Sequence, residues 1–224
     1  MSAIPKMLIF GLVELLAFGL ILFLPAGTFN YWQAWVFLAV VAVSAWIPSI
    51  YLLRNNPAAL QARMRGGPAA ESRFAQKVVI AGLYLSLAAM VVVSVLDHRF
   101  RWAPVSTSVC LIGDVVVAVG LIVVAVVMIQ NSYAAATVRV QAGQTVVSTG
   151  LYGLVRHPMY TGNMIMMVGI PLALGSSWGL VFVAPGLAVL ASRIRDEEKM
   201  LREELTGYRE YSKRVRYRLV PALW

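Results

Sequence analysis

Four stretches of this chain stay apolar for long enough to cross a bilayer, and that governs what the rest of it can fold into. The runs are Met7–Leu24, Tyr31–Leu53, Val78–Leu96 and Ser108–Ile129. A hydrocarbon core about 30 Å thick needs about 20 apolar residues in a helix. Charge interrupts the runs only at Glu14 and Asp114. Lipid offers no partners for a bare backbone, so each run is predicted as a helix, and the short uncharged link Pro25–Asn30 makes the first two an antiparallel pair. Composition agrees: 60% of the 224 residues are hydrophobic and 13% charged, against roughly a quarter charged in a soluble domain. An ordinary cytosolic enzyme, a disordered chain and a secreted disulfide scaffold are excluded. Lys6 and the apolar run after it resemble a signal peptide, but Asn30-Tyr31-Trp32 follows instead of a small-residue cleavage site. The run is therefore read as a retained first helix.

A fifth apolar stretch, Met164–Ser192, is interrupted by Pro171, Gly175, Ser176, Ser177 and Gly179. Each half is short for an upright span, and a transmembrane helix–turn–helix hairpin with its turn near Gly175–Gly179 fits the pattern. The chain thus reads as an all-α polytopic integral membrane protein: four long transmembrane helices, a C-terminal helical hairpin and an amphipathic tail helix. Residues 1–130 would hold the first four helices and the loop 54–77, in which Pro57–Arg65 suits a short interfacial helix with Leu60 and Met64 on one side. Residues 131–224 would form the functional region.

Loop charge sets the orientation. With the N-terminus cytoplasmic, 17 of the 19 Lys and Arg fall on the cytoplasmic side, and only Arg99 and Arg101 lie outside. Both termini, the loop 54–77, the segment 130–163 and the tail 193–224 are then cytoplasmic. Nine of the basic residues lie between Arg193 and Arg218. Attraction to anionic lipid explains that excess better than nucleic acid, which would call for a soluble basic domain. The single cysteine, Cys110, cannot form an intrachain disulfide, and with two histidines, His98 and His157, no metal-ligand set is expected.

The dense polar residues fall in two segments, Gln141–Asn163 and Arg193–Tyr211, at the two ends of the hairpin. A hairpin that starts and ends on one membrane face brings them side by side. Pro158 suits the first turn of a helix, which puts Arg156 and His157 at its mouth beside backbone N–H groups that favour anions, with Tyr160 and Asn163 on the turns that follow. Arg156 and His157 snorkelling at the interface, with Tyr152 and Tyr160 in an aromatic belt, is an equally good reading from spacing alone. Arg193 and Glu197 share a helix face one turn apart where the hairpin leaves the bilayer. Glu14 and Asp114 are read as structural, and Asp97-His98-Arg99 as an external loop remote from this cluster.

These residues carry a resemblance. Gly150-x-Tyr152-x-x-Val155-Arg156-His157-Pro158-x-Tyr160-x-Gly162 ahead of an interrupted hairpin resembles the isoprenylcysteine carboxyl methyltransferase family and the related phospholipid N-methyltransferases. So do Arg193-Ile194-x-x-Glu197-Glu198-x-x-Leu201, then Gly207-x-x-x-Tyr211 and Pro221. Trp32-x-x-Trp35 and Arg54-Asn55-Asn56-Pro57 with Leu60 and Arg63 resemble bacterial members, which implies a bacterial inner membrane. The resemblance implies a membrane enzyme that uses S-adenosylmethionine without a Rossmann domain. Its cofactor pocket would take Gln144, Thr145, Val146, Val147, Tyr152, Arg156, His157, Tyr160, Asn163, Glu197 and Glu198, while Arg193 and Glu197 would stand near the methyl acceptor. Gln144 occupies a position where many members have His.

Carboxyl O-methylation of an isoprenylcysteine-like substrate, entering from the bilayer as a prenylated or other lipophilic molecule, is the leading expectation. Lipid N-methylation is the alternative. A nicotinamide-dependent sterol-type reductase shares much of the architecture, though such chains are usually longer. A small transporter or lipid-binding module would leave both polar segments without a purpose.

Overall fold

The computed structural model describes residues 3–55, 57, 60, 74–131, 133, 140 and 143–224. Among the described residues there are seven α-helices: α1 (Ala3–Ala26), α2 (Trp32–Asn55), α3 (Phe74–Phe100), α4 (Thr107–Gln130), α5 (Pro158–Ala173), α6 (Val183–Glu204) and α7 (Tyr208–Arg214). Among the described residues no β-strand forms, and the expected all-α architecture is what the chain adopts. Among the described residues four segments are long and apolar enough to cross a membrane: Trp32–Asn55, Gln76–Phe100, Thr107–Gln130 and Trp178–Glu204. In α1 a shorter apolar stretch, Gly11–Ala26, adds to them. The chain is an integral membrane protein. Of the short helix expected over Pro57–Arg65, only Pro57 and Leu60 are among the described residues, and Leu60 is buried beside Leu52.

The hairpin forms with its turn where the Gly and Ser residues interrupt the apolar stretch, but its arms are unequal. The first arm, α5, has 16 residues and a length of about 24 Å at 1.5 Å per residue. The second runs from a 3-10 turn at Trp178–Phe182 through α6 as 27 residues, so it is not too short for a span. The apolar stretch alone understates it, because the helix continues through the charged residues Arg193–Glu204.

Small residues let α4 and α5 approach backbone to backbone, the closest-packed pair of helices in the molecule. A Cβ on Gly113 would stand 2.3 Å from the Ala173 nitrogen, and one on Gly120 would stand 2.7 Å from the Gly162 carbonyl oxygen. Glycine at these places supplies the van der Waals contact that joins helices where lipid removes the hydrophobic drive. At the hairpin turn, Ser176 donates to Asp97, whose other oxygen accepts from the Ala103 nitrogen. Asp97 therefore lies fully buried in the last turn of α3 rather than in an external loop; His98, in the same turn, is partly buried and stacks on Tyr31 at 3.7 Å. Gln76 of α3 donates to Asp196 of α6, tying the hairpin to the bundle at its other end. The core between these contacts is aliphatic and aromatic, with Leu22, Tyr31, Met90, Val95 and Leu174 among its fully buried members.

Candidate functional site

The first wall of the site is built where α4 ends. Gln130 accepts from the Leu151 nitrogen at 3.1 Å, and Asn131 donates to the Tyr152 hydroxyl at 3.0 Å. Gly150 turns the chain at φ +58°, and a Cβ there would press into the Gln130 carboxamide. The 3-10 turn Gly150–Gly153 follows, and α5 begins at Pro158 with His157 at its N-cap position, as the missing proline N–H favours.

The C-terminal tail closes the back of this corner. The Arg156 and His157 nitrogens donate to the Tyr217 and Arg218 carbonyls, each at 2.9 Å, and Thr161 Oγ1 donates to the Leu219 carbonyl at 2.8 Å. Tyr211 of α7 donates to the Tyr152 carbonyl at 2.7 Å.

Two adjacent glutamates on α6 then face different surroundings. Glu198 is 2% exposed and is the centre of an ion cluster: Arg156 Nε at 2.8 Å, His157 Nε2 at 3.3 Å, Arg218 Nη2 at 3.1 Å and Arg202 Nη2 at 3.2 Å. Arg156 also donates to the Ser212 and Val215 carbonyls. Burying these charges is tolerable only because each has several partners. Glu197 instead faces an open cleft. Its Oε2 accepts from the Tyr160 hydroxyl at 2.7 Å and lies 4.0 Å from His157 Nδ1. Tyr160 Oη in turn accepts from Arg193 Nε at 2.8 Å, and the Arg193 guanidinium lies over its ring, 5.9 Å from the centroid. Arg193 is buried.

The cleft holds about 800 Å3 of space when its open mouth is counted. Gln144, Thr145, Val146 and Val147 form one side, Tyr152, Arg156, His157 and Tyr160 another, and Glu197 a third. Met159, Met200, Leu201 and Leu205 add apolar surface, and Asn131, Tyr208 and Tyr211 line it as well. Burial, and then the negative charges of Glu198 and Glu197, push the Tyr208 phenol well above its ordinary pKa. Burial does the same to Tyr211 and Tyr152.

Nine of the expected site residues thus come together on one cleft: Gln144, Thr145, Val146, Val147, Tyr152, Arg156, His157, Tyr160 and Glu197. Glu198 stands behind it as the hub of the ion cluster, and Arg193 reaches it through Tyr160. Asn163 lies almost one turn beyond Tyr160 on α5 and does not line the cleft. Sequence reading missed Arg202 and Arg218, Tyr208, and the two methionines. Their signal was faint: the basic tail reads as lipid-facing, yet Arg218 turns inward to Glu198. Glu14 and Asp114 are not part of this cleft; Asp114 is buried in α4 and Glu14 lines an apolar recess between α1, α2 and α4.

Known proteins resemble part of this chain. Over 91 residues the chain is 35% identical to the Delta(14)-sterol reductase TM7SF2 of Mus musculus, a match covering 39% of this chain and 22% of that protein. Over 79 residues it is 32% identical to a probable 7-dehydrocholesterol reductase of Acanthamoeba polyphaga mimivirus, covering 34% of this chain and 18% of that one. The chain matches about a fifth of the length of these curated relatives. Residues 109–206, from α4 to just beyond the end of α6, match the family model of the phospholipid methyltransferases.

Proposed function

We propose that the chain is an S-adenosylmethionine-dependent methyltransferase that works at the membrane–cytosol boundary on a lipophilic acceptor. The observation that carries this reading is the cleft itself, in which the His157–Tyr160 corner and Glu197 meet although 37 residues separate Tyr160 from Glu197. The likeness of residues 109–206 to phospholipid methyltransferases supports it.

The lining suits the cofactor. It offers aromatic faces at Tyr152, His157 and Tyr160, apolar surface at Met200 and Leu201, and one partly exposed carboxylate, Glu197. Such a set favours a sulfonium cation and a flat purine. Bound there, S-adenosylmethionine supplies an electrophilic methyl group for a direct displacement. Glu197 and the Gln144–Val147 segment would hold its polar end. The task left to the protein is alignment and exclusion of water. Arg193, steadied by Tyr160, orients a carboxylate acceptor, which needs no base. An amine acceptor must first lose a proton, and Glu197 or a water would take it. We favour a carboxylate of an isoprenylcysteine-like lipid, because the cation beside the acceptor side is the buried Arg193; a phospholipid amine is the alternative.

The likeness to sterol reductases motivates a second reading, with a reduced nicotinamide in the same cleft. A dinucleotide brings a diphosphate, which asks for uncommitted cations. Arg156 is the only Arg or Lys among the described lining residues, and it is already held by Glu198 and two carbonyls. Thermal melting of the detergent-purified protein separates the two readings by mass action. Stabilisation by S-adenosylhomocysteine and not by NADPH supports methyl transfer; the reverse overturns it. Radiolabelled methyl transfer into a lipid extract, with the product identified by mass, names the acceptor.

A further inference from the structure

At the membrane face opposite the cleft, four chain segments line an open recess of about 910 Å3, its mouth included. They are the α1–α2 link, the start of α2, the end of α3 and the hairpin turn at Gly175. Its polar lining includes Thr28, Asn30, Gln33, His98, Arg99 and Arg101. Arg99 and Arg101 are the only two of the 19 Lys and Arg that loop charge assigns to this face, where cations are disfavoured, and both point to one hollow.

Among the described residues neither arginine forms an ion pair, and the nearby carboxylate Asp97 is fully buried with its oxygens taken by Ser176 and the Ala103 nitrogen. Arg99 donates one N–H to the Pro25 carbonyl at 3.0 Å, which leaves most of its fork unused. The link folds around it: Gly27, at φ +66°, leaves 3.4 Å between its would-be Cβ and Arg99 Nη1. Arg101 sits in the left-handed region at φ +55°, its nitrogen donating to the Asp97 carbonyl at 2.6 Å. Helices end that way on glycine or asparagine as a rule. An arginine held there against backbone preference, at the mouth of a hollow, needs a reason beyond capping. Gln33 lines the recess beside Gly175, and its amide nitrogen is the atom that a Cβ on that glycine would meet first.

The level in the bilayer is marked by side chains. Phe29, Trp32, Trp35, Phe100, Trp102 and Trp178 all stand exposed around this end of the bundle, the aromatic girdle that sits at lipid headgroups. We propose that this recess is a binding site for the phosphate group of a bilayer phospholipid, held by the Arg99 and Arg101 guanidiniums with His98 and Gln33 at its sides. The girdle favours a lipid over free phosphate, because it places the two arginines at phosphate depth rather than in water. The site is separate from the cleft and does not depend on the chemistry assigned there.

The test measures melting of the detergent-purified full chain with dihexanoyl phosphatidylglycerol, with dihexanoylglycerol, and with inorganic phosphate. Saturable stabilisation by the phospholipid alone is expected. Arg101→Gly removes the guanidinium and relieves the backbone, so the protein without lipid should melt no lower, while lipid affinity falls about tenfold for one lost charge-assisted contact. Arg99→Gln should weaken it similarly, and Lys213→Gln on the exposed face of α7 should not. Unchanged affinity in both arginine variants overturns the site. Equal binding of dihexanoylglycerol shows that phosphate is not read, and equal binding of inorganic phosphate shows that the ligand is a free anion; either result overturns the lipid assignment.

Discussion

Tyr160 donates its phenolic hydrogen to Glu197 across 2.7 Å while its oxygen accepts from Arg193 across 2.8 Å. The tyrosine is the bridge between the Glu197 carboxylate on the cleft and the buried Arg193 guanidinium. Its hydrogen is committed, so it fixes the two charges in place rather than acting as a base. Under the proposed methyl transfer, Tyr160→Phe keeps the ring but takes the hydroxyl away from both Glu197 and Arg193. Turnover should fall about ten- to a hundredfold, the worth of one or two charge-assisted hydrogen bonds. Single-turnover methyl transfer measures it, and wild-type rates would remove Tyr160 from the site.

The neighbouring glutamates should separate cleanly. Glu198→Gln leaves Arg156, Arg202 and Arg218 around a neutral group, and loss of one member of a buried ion cluster costs about 3–5 kcal/mol. A large drop in melting temperature is expected. Glu197→Gln should melt near the wild type and lose the stabilisation given by S-adenosylhomocysteine. Similar melting in the two variants would mean that Glu198 is not the structural one.

Helix approach gives a third expectation. Gly113→Ala pushes a methyl group against the Ala173 backbone, which cannot step aside as a side chain can. It should destabilise the protein by about 1–3 kcal/mol or more, as overpacking does. Gly19→Ala in α1 meets nothing within 4 Å and should be neutral or stabilising, since alanine favours a helix by up to about 1 kcal/mol. Denaturant titration of the two variants side by side checks the contrast.

Alkaline titration offers a fourth. Burial raises the Tyr152, Tyr208 and Tyr211 phenols in the folded state, so the folded chain holds these protons more tightly than the unfolded one. The sign follows: the contribution to stability is whole below the unfolded value of about 10 and is lost as pH climbs above it. Phenolate absorbance should show these three tyrosines ionising only as the fold gives way.

The spans and the hairpin turn were legible in the amino-acid order because crossing lipid is a local demand: about 20 apolar residues in a row declare a helix whatever lies beside it, and Gly175–Gly179 breaks one. The meeting of Arg156-His157 with Glu197-Glu198 was legible too, since a chain that enters and leaves by one face must bring its ends together. Lateral packing decided the rest. Successive residues on a helix point about 100° apart, so which of Glu197 and Glu198 meets the cleft depends on how α6 is rotated against α5, and no run of letters states that angle. Nor does the order say that Arg218, in a tail that reads as lipid-facing, turns back 20 residues to Glu198. A charge finds its partner through the space that other elements leave open, and that space exists only once the helices have packed.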